Sequence, residues 1–218
     1  MFNIISYSLR ISYQVFGVIL IFILITQSLK NKFKYDISGI KPYVWLLFLG
    51  SLYEFFFTRM LRVPSGYWTT LYTLLEFLSL SYFFYLTLKK CKILFSVFTL
   101  LFLGVYFSSL FFWELKDHMK IEAYHLALET IFVFTYTVLW FKDLFKKPEI
   151  VPLWQNPDFY FITGNVLYFA GCIFLFLFID VIYKSSGLIS KYWILALFLG
   201  AVMRIMMIIG LLKATKKY

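Results

Sequence analysis

The stretch "ISYQVFGVILIFILITQSLKNKFK", Ile11–Lys34, has no charged residue before Lys30 and then carries three lysines in quick succession. A helix needs roughly 20 apolar residues to cross the hydrocarbon core of a bilayer. Only Arg10 precedes the run, and no small-x-small cleavage pattern follows it, so we expect a retained helix and not a removable signal peptide. The lysines place the end of this helix on the cytoplasmic side.

The composition extends this interpretation to the whole chain. Of 218 residues, 62% are hydrophobic, 23% are aromatic and only 15% are charged, whereas soluble domains carry about 25% charged residues. The net charge is +10, with Lys and Arg grouped between apolar runs, which favours an anionic membrane surface over nucleic acid as the partner. Two cysteines give no disulfide framework, and we expect both to be reduced.

Hydropathy divides the chain into seven runs near the length of a membrane span. No proline lies inside a run, so the helices should be continuous, which argues against a broken-helix transporter. The sequence therefore predicts an all-α polytopic integral membrane protein, a seven-transmembrane-helix bundle forming one domain over residues 1–218. The predicted spans are 11–28, 42–60, 67–88, 93–113, 121–141, 159–182 and 192–212.

The distribution of Lys and Arg predicts the orientation. The first, third and fifth connections and the carboxyl-terminal tail hold thirteen of these residues, against seven in the amino terminus and the even-numbered connections. The positive-inside rule then puts the amino terminus outside and the carboxyl terminus in the cytoplasm, as an odd number of spans requires. We expect a multi-pass protein of a bacterial-type inner or plasma membrane, with an anionic cytoplasmic leaflet as its lipid partner.

Ionisable residues inside spans identify the predicted site. Each costs about 2.5–3.5 kcal/mol on insertion scales, so such residues usually face the bundle interior and serve function. Arg204 can neutralise one carboxylate; the others must be protonated, pair with His125 as imidazolium, or balance a bound cation. We predict a ligand- or ion-binding pocket that opens outward and is closed below by Arg204. Its predicted residues are Glu54, Tyr72, Glu76, His125, Glu129, Asn165 and Arg204.

A purely structural interpretation of the same residues stays open. Arg204 would pair with Glu76 or Glu129, and the remaining acids would be protonated and bonded to tyrosines. The sequence neighbours for such bonds are Tyr53, Tyr72 and Tyr136. Tyrosines and tryptophans near span ends are expected to form interfacial belts. These are Tyr43, Trp45, Tyr67, Trp68, Trp113, Trp140, Trp154 and Trp193.

One stripe of the fifth span admits several interpretations. His118, Glu122, His125 and Glu129 fall within about 60° of one another on a helix. Glu122 and His125 form an E-x-x-H, as in di-iron bundles, but the second E-x-x-H of such sites is absent. Glu122, His125 and Glu129 are therefore weak metal candidates. The stripe could instead be a cation path or pH-responsive ladder, or have His118 and Glu122 in the headgroup layer.

These features favour a membrane sensor or signalling component that binds a small ligand, cation or lipid. With so little soluble mass, it would act through a cytoplasmic signalling partner docked near 30–41 and 142–147, or through a second copy. The alternative is a proton- or cation-coupled transporter of a small solute that uses Glu76 and Glu129 as carriers. A lipid-modifying enzyme comes third, because the sequence has no G-x-S-x-G, H-E-x-x-H or phosphate-binding loop. We predict no cofactor and no nucleic-acid partner.

Overall fold

The computed structural model of the protein describes residues 2–88, 92–111, 118–146, 152–177 and 189–215. Side chains are described over 7–88, 92–111, 122–146, 152–175 and 194–215. Every regular element within these ranges is helical. The α-helices are α1 Phe2–Leu29, α2 Lys41–Tyr53, α3 Gly66–Leu88, α4 Lys92–Phe111, α5 His118–Leu144, α6 Pro157–Leu177 and α7 Ile189–Ala214. A π-helix, Glu54–Met60, continues α2 directly, and a 3₁₀ turn, Leu153–Gln155, precedes α6.

Six of these helices are long and apolar enough to cross a membrane, so the chain is a multi-pass membrane protein. Their spanning parts are Tyr7–Leu29, Gly66–Leu88, Lys92–Phe111, Glu122–Leu144, Pro157–Leu175 and Ile194–Ala214. The predicted second span, 42–60, is divided between α2, with 13 residues, and the seven-residue π-helix. The ends predicted at 113 and 182 lie outside the described residues.

Local sequence sets the helix ends. Pro157 is the first residue of α6, where a missing N–H costs nothing, and the Asn156 side chain caps the helix by accepting from the Asp158 N–H at 2.9 Å. At the end of α1, Asn31 has a φ of 47°, a left-handed conformation that Asn tolerates. The Lys32 N–H then donates to Gln27 O at 3.0 Å, which closes the helix.

The helices form a ring with one helix outside it. The most extensive contact joins α6 and α7; α1 packs on α2 and α7, α3 on α2 and α5, and α5 on α6. The ring order is therefore α1–α2–α3–α5–α6–α7. Among the described helices, α4 makes its main contacts with α3 and α5, on the outside of the ring.

The two ends of the ring differ in charge and in closure. At one end, which we call the Lys-rich end, the connection between α1 and α2 contacts α6 and α7. The Tyr35 hydroxyl donates to Asp158 Oδ2 at 2.6 Å, and the Lys34 and Tyr35 N–H groups donate to Ala214 O at 3.0 and 3.2 Å. Partial burial and the Asp158 carboxylate raise the pKa of Tyr35, so the phenol keeps its proton and remains the donor. The opposite end, which we call the Arg10 end, contains Arg10, the π-helix and the start of α3.

Aromatic packing fills the space between α3, α4 and α5. The rings of Phe77 and Phe102 stack at 3.9 Å between centroids, and those of Phe95 and Tyr136 at 4.2 Å. Phe132 is fully buried among them. This cluster attaches α4 to the ring, and it explains part of the phenylalanine content as core packing. Cys172 is a free, buried thiol, as expected, while Cys91 lies outside the described residues.

Candidate functional site

A cavity of about 390 Å³ lies inside the ring at the Arg10 end. Every ring helix contributes to its wall, and α4 contributes no lining residue. The lining combines three carboxylates, one arginine, five aromatic side chains and small polar groups. The lining residues are Arg10, Tyr13, Gly50, Tyr53, Glu54, Thr58, Ser65, Trp68, Thr69, Tyr72, Thr73, Glu76, Glu122, Leu126, Tyr168, Ala196 and Leu197.

The first turns of α3 supply one long wall. Ser65, Thr69, Tyr72 and Glu76 are spaced by four, three and four residues, so they share one helix face. Eleven residues at 1.5 Å each make this wall about 16 Å deep. Since the hydrocarbon core is about 30 Å thick, a cavity of this depth extends from one end of the bundle to about its middle.

The facing wall comes from α2 and its π-helix. Gly50, Tyr53, Glu54 and Thr58 all line the cavity, and Glu54 is the residue at which the hydrogen bonding changes from α to π. A Cβ on Gly50 would lie 3.1 Å from Tyr72 Cε2. The absence of a side chain at Gly50 thus lets the Tyr72 ring lie against α2.

Glu76 forms the floor of the cavity and is 5% exposed. The Tyr43 hydroxyl donates to Glu76 Oε1 at 3.0 Å, and the Tyr72 hydroxyl lies 3.4 Å from the same oxygen. Tyr43 also approaches the Met203 sulfur at 3.4 Å, which ties α2 to α7 beneath the carboxylate. Acid–tyrosine bonding, as in the structural interpretation, therefore occurs at Glu76. Tyr43 is fully buried, so it is not part of an interfacial belt.

Arg204 is 1% exposed and sits behind the cavity wall. Its guanidinium lies 3.3 Å from the centroid of the Tyr13 ring, and its Nη1 donates to Gly200 O at 3.2 Å. No described carboxylate lies within 4.0 Å of it. The ion pair of Arg204 with Glu76 or Glu129, which the structural interpretation requires, is therefore not formed: the guanidinium contacts an aromatic face and a carbonyl oxygen instead of a carboxylate.

The mouth of the cavity carries an ion pair and stacked rings. Arg10 Nε lies 3.5 Å from Glu54 Oε1, and both side chains are partly exposed. The rings of Tyr53 and Trp68 stack with centroids 4.7 Å apart and planes 11° from parallel. Trp68 thus lines the cavity, although its position near a span end predicted a place in an interfacial belt. Glu54 pairs with Arg10 rather than bonding to its neighbour Tyr53.

The acid and histidine stripe of α5 divides into separate environments. Glu122 lines the cavity, whereas His125 and Glu129 are fully buried and do not. Neither oxygen of Glu129 has a hydrogen-bond partner in the described part of the chain. The predicted bond between Glu129 and Tyr136 is therefore not formed. The His118 side chain lies outside the described side chains.

His125 forms a hydrogen bond with Ser109, its Nε2 lying 3.1 Å from Ser109 Oγ. The serine donates its own proton to Tyr106 O at 2.7 Å. Ser109 therefore accepts from His125, and Nε2 is the donor. A base must accept the proton of its nucleophile, so this pair has the opposite polarity from a serine–histidine catalytic pair.

The described residues bring no three His, Cys, Asp or Glu side chains together for a metal ion. Of the weak metal candidates, Glu122 faces the cavity, and Ser109 occupies Nε2 of His125. The third, Glu129, is buried with no described partner for either oxygen. The geometry gives no support to a metal centre among these residues.

Asn165 is fully buried in α6 and also lies away from the cavity lining. Its Nδ2 donates to Phe161 O at 2.9 Å, one turn back along the same helix. Of the seven predicted ligand-binding residues, the structure thus brings Glu54, Tyr72 and Glu76 to the cavity. The other four, His125, Glu129, Asn165 and Arg204, lie elsewhere in the core.

Several lining or supporting residues were missed from the sequence, notably Tyr13, Tyr43 and Trp68. Helical periodicity contains a signal for one of them. Gly50 and Tyr43 precede Glu54 by four and eleven residues and so share its helix face. Tyr43 should therefore have been assigned to the interior together with Glu54.

Comparison with known proteins gives no match: no protein-family model, curated protein or solved structure is detectably similar to this chain.

Proposed function

We propose that this protein is a seven-span membrane sensor that binds a small ligand in the cavity at the Arg10 end. The observation that carries the proposal is the cavity itself, about 390 Å³ in volume, lined by carboxylates and aromatic rings and ending at Glu76. This volume lies in the range of small-molecule sites, roughly 300–1,000 Å³. Below Glu76, the Tyr43 contacts with Glu76 and Met203 join α2, α3 and α7, which favours binding over passage.

The seventh span in this proposal is the segment formed by α2 and its π-helix. Its 13 α-helical residues continue without a break for a further seven, giving about the length of a span. With this segment crossing, the amino terminus lies outside and the Lys-rich end lies in the cytoplasm of a bacterial-type cell. The cavity then opens outward.

An output partner would dock at the Lys-rich end. The exposed lysines there, Lys30, Lys32, Lys34, Lys142 and Lys146, surround the ends of α1 and α5. They also face the anionic headgroups of the cytoplasmic leaflet. A ligand that moves α2 or α7 would displace this end, because the connection between α1 and α2 bonds to both Asp158 and Ala214.

A cation-coupled transporter is the second proposal, and the burial of Glu129 favours it. A fully buried carboxyl group without a described partner is a plausible carrier of a proton or cation. Flux of a labelled solute into proteoliposomes that Glu129→Gln abolishes would establish transport and exclude the sensor.

Sided cysteine labelling tests the sensor proposal. Thr73 lines the cavity above Glu76, so Thr73→Cys in a chain lacking Cys91 and Cys172 should react with a membrane-impermeant maleimide from outside only. Lys34→Cys is the matched control, and it should react from the cytoplasmic side only. Reaction of Thr73→Cys from the cytoplasmic side would mean alternating access and contradict a sensor.

A further inference from the structure

The cavity mouth presents three aromatic faces in sequence. Tyr53 stacks on Trp68 at 4.7 Å, and Trp68 lies 6.0 Å from Tyr72 at a tilt of 54°. All three rings line the cavity. Aromatic faces carry negative electrostatic potential, and Trp binds cations best.

The charged residues of the lining, like its aromatic faces, favour a cation as the ligand. Glu54, Glu76 and Glu122 face the space, while Arg10 is the basic residue of the lining. Arg10 is already paired with Glu54 at 3.5 Å. Among the described groups, Glu76 accepts hydrogen bonds only from tyrosine hydroxyls and forms no ion pair.

The protein already uses one ring of this cavity to hold a cation. Arg204 lies 3.3 Å from the centroid of the lining residue Tyr13. A cationic ligand would instead pair with Glu76, which forms no ion pair among the described residues.

From these observations we propose that the ligand is a small organic cation, an amine or quaternary ammonium compound. Its charged group would lie between the Trp68 and Tyr72 faces and the Glu76 carboxylate. This inference rests on the proposed ligand-binding function. An anion would meet Glu76 at the end of the cavity, and a metal ion would find no three ligands together among the described residues. A ligand with apolar substituents on its charge matches the aromatic lining.

Matched pairs of probes separate charge from shape. Choline and 3,3-dimethylbutan-1-ol have nearly the same shape but differ in charge, and tetraethylammonium and phenethylammonium extend the range of sizes. Isethionate serves as the anion. Binding to the purified, full-length protein in nanodiscs is measured by calorimetry and by the shift in the melting temperature.

We expect at least one of the three cations to bind saturably, while the neutral isostere and the anion do not. Trp68→Ala should weaken that binding about tenfold, and Trp68→Phe less, because Phe keeps a weaker aromatic face. Glu76→Gln should also weaken it, without a change in shape. Trp154→Ala is the control, since Trp154 is 62% exposed and lies outside the cavity lining. Melting curves of each variant without probe establish that it is folded.

Binding of the neutral isostere as tight as that of choline would overturn the cation proposal, as would binding of isethionate or a failure of all three cations. None of these results touches the sensor proposal, which fails separately if Thr73→Cys reacts from the cytoplasmic side. A cation that binds equally well to Trp68→Ala and Glu76→Gln binds elsewhere and also contradicts the inference.

Discussion

Tyr43 supplies the shortest hydrogen bond to the buried Glu76 carboxylate, at 3.0 Å. Tyr43→Phe removes this donor and leaves the acceptor with Tyr72 at 3.4 Å. We expect the free energy of unfolding to fall by about 1–3 kcal/mol, the usual cost of a buried polar group that loses its partner. Tyr85→Phe is the control, because the Tyr85 ring is 41% exposed and should change stability by no more than about 0.5 kcal/mol. Unfolding in mixed micelles measures the stability of both variants. An equal loss in Tyr43→Phe and Tyr85→Phe would contradict a stabilising hydrogen bond from Tyr43 to Glu76.

Replacing Glu129 is expected to raise the stability of the protein, the opposite of the effect of Tyr43→Phe. Both of its oxygens are buried without a described partner, so Glu129→Leu removes an uncompensated polar group while keeping a similar volume. The free energy of unfolding should rise by about 1–3 kcal/mol. Glu76→Leu, by contrast, strands the Tyr43 and Tyr72 hydroxyls and should lower it. A loss of stability in Glu129→Leu would show that its carboxyl has a stabilising role that the described contacts do not contain.

Sequence reasoning at the scale of residues found the buried acids and one partner close in sequence, Tyr72 beside Glu76, but not the partners that lie on other helices. Glu76, Glu129 and Arg204 were predicted to lie inside the bundle, and all three are buried. Their burial can be predicted from each residue and its apolar neighbours in sequence, because a charged side chain is costly in hydrocarbon. Pairing instead depends on which helices are adjacent, and neither the Tyr13 ring under Arg204 nor Tyr43 beside Glu76 is near its partner in sequence.

The π-helix forms part of the cavity wall. Its Leu61 N–H donates to Phe56 O at 3.1 Å, five residues back. Glu54 and Thr58 of this segment both line the cavity. π-helical segments often occur at functional sites, and no residue in "EFFFTRM" breaks a helix, so the sequence carries no signal for it.

Close packing of α6 on α7 depends on Gly164. A Cβ there would lie 3.0 Å from Met206 Cβ and 3.2 Å from the Met203 carbonyl oxygen, and a backbone atom cannot move aside. We expect Gly164→Ala to lower the free energy of unfolding by about 1–3 kcal/mol. Gly104 on α4 has nothing within 4 Å of its Cβ position. Gly104→Ala should therefore be neutral or gain up to about 1 kcal/mol from helix propensity; a comparable loss in both variants would argue against tight packing at Gly164.

Helix positions were largely predictable because charges and prolines bound the apolar runs. The run predicted at 67–88 corresponds to α3, Gly66–Leu88, and Pro157 begins α6. α1 is the exception, since it begins at Phe2 and not near residue 11. Hydropathy marks the part of a helix that crosses lipid, and a helix can extend beyond that part.

At the scale of the whole molecule, the number of spans decides where the termini lie. Seven spans, with Lys41–Met60 crossing, put the two ends of the chain on opposite sides of the membrane. An epitope tag at Met1 should then react with antibody in intact cells. A tag after Tyr218 should react only after the cells are permeabilised. Tags that both react on the same side would reduce the count to six and contradict the proposed orientation.

Ring order is the property that hydropathy could not predict. The pattern of apolar runs identifies helices one at a time, and an all-round apolar helix such as α7 gives no preferred face. The exclusion of α4 from the ring, and hence the set of helices around the cavity, follows from packing between distant segments. Of the predicted site acids, Glu54 and Glu76 line the cavity and Glu129 does not, and Arg204 lies behind the cavity wall.

The connection between α1 and α2 has a consequence for hydrogen exchange. Although this connection is exposed at Lys34 and Tyr35, both amides donate to Ala214 O at the end of α7. They should exchange with deuterium only when the last turn of α7 detaches. Peptides covering 33–36 and 211–215 should therefore take up deuterium at a common rate, far slower than the amides of a free surface segment. The Lys-rich end would then open as one unit, and a displacement of α1 or of α7 would be transmitted to the other helix.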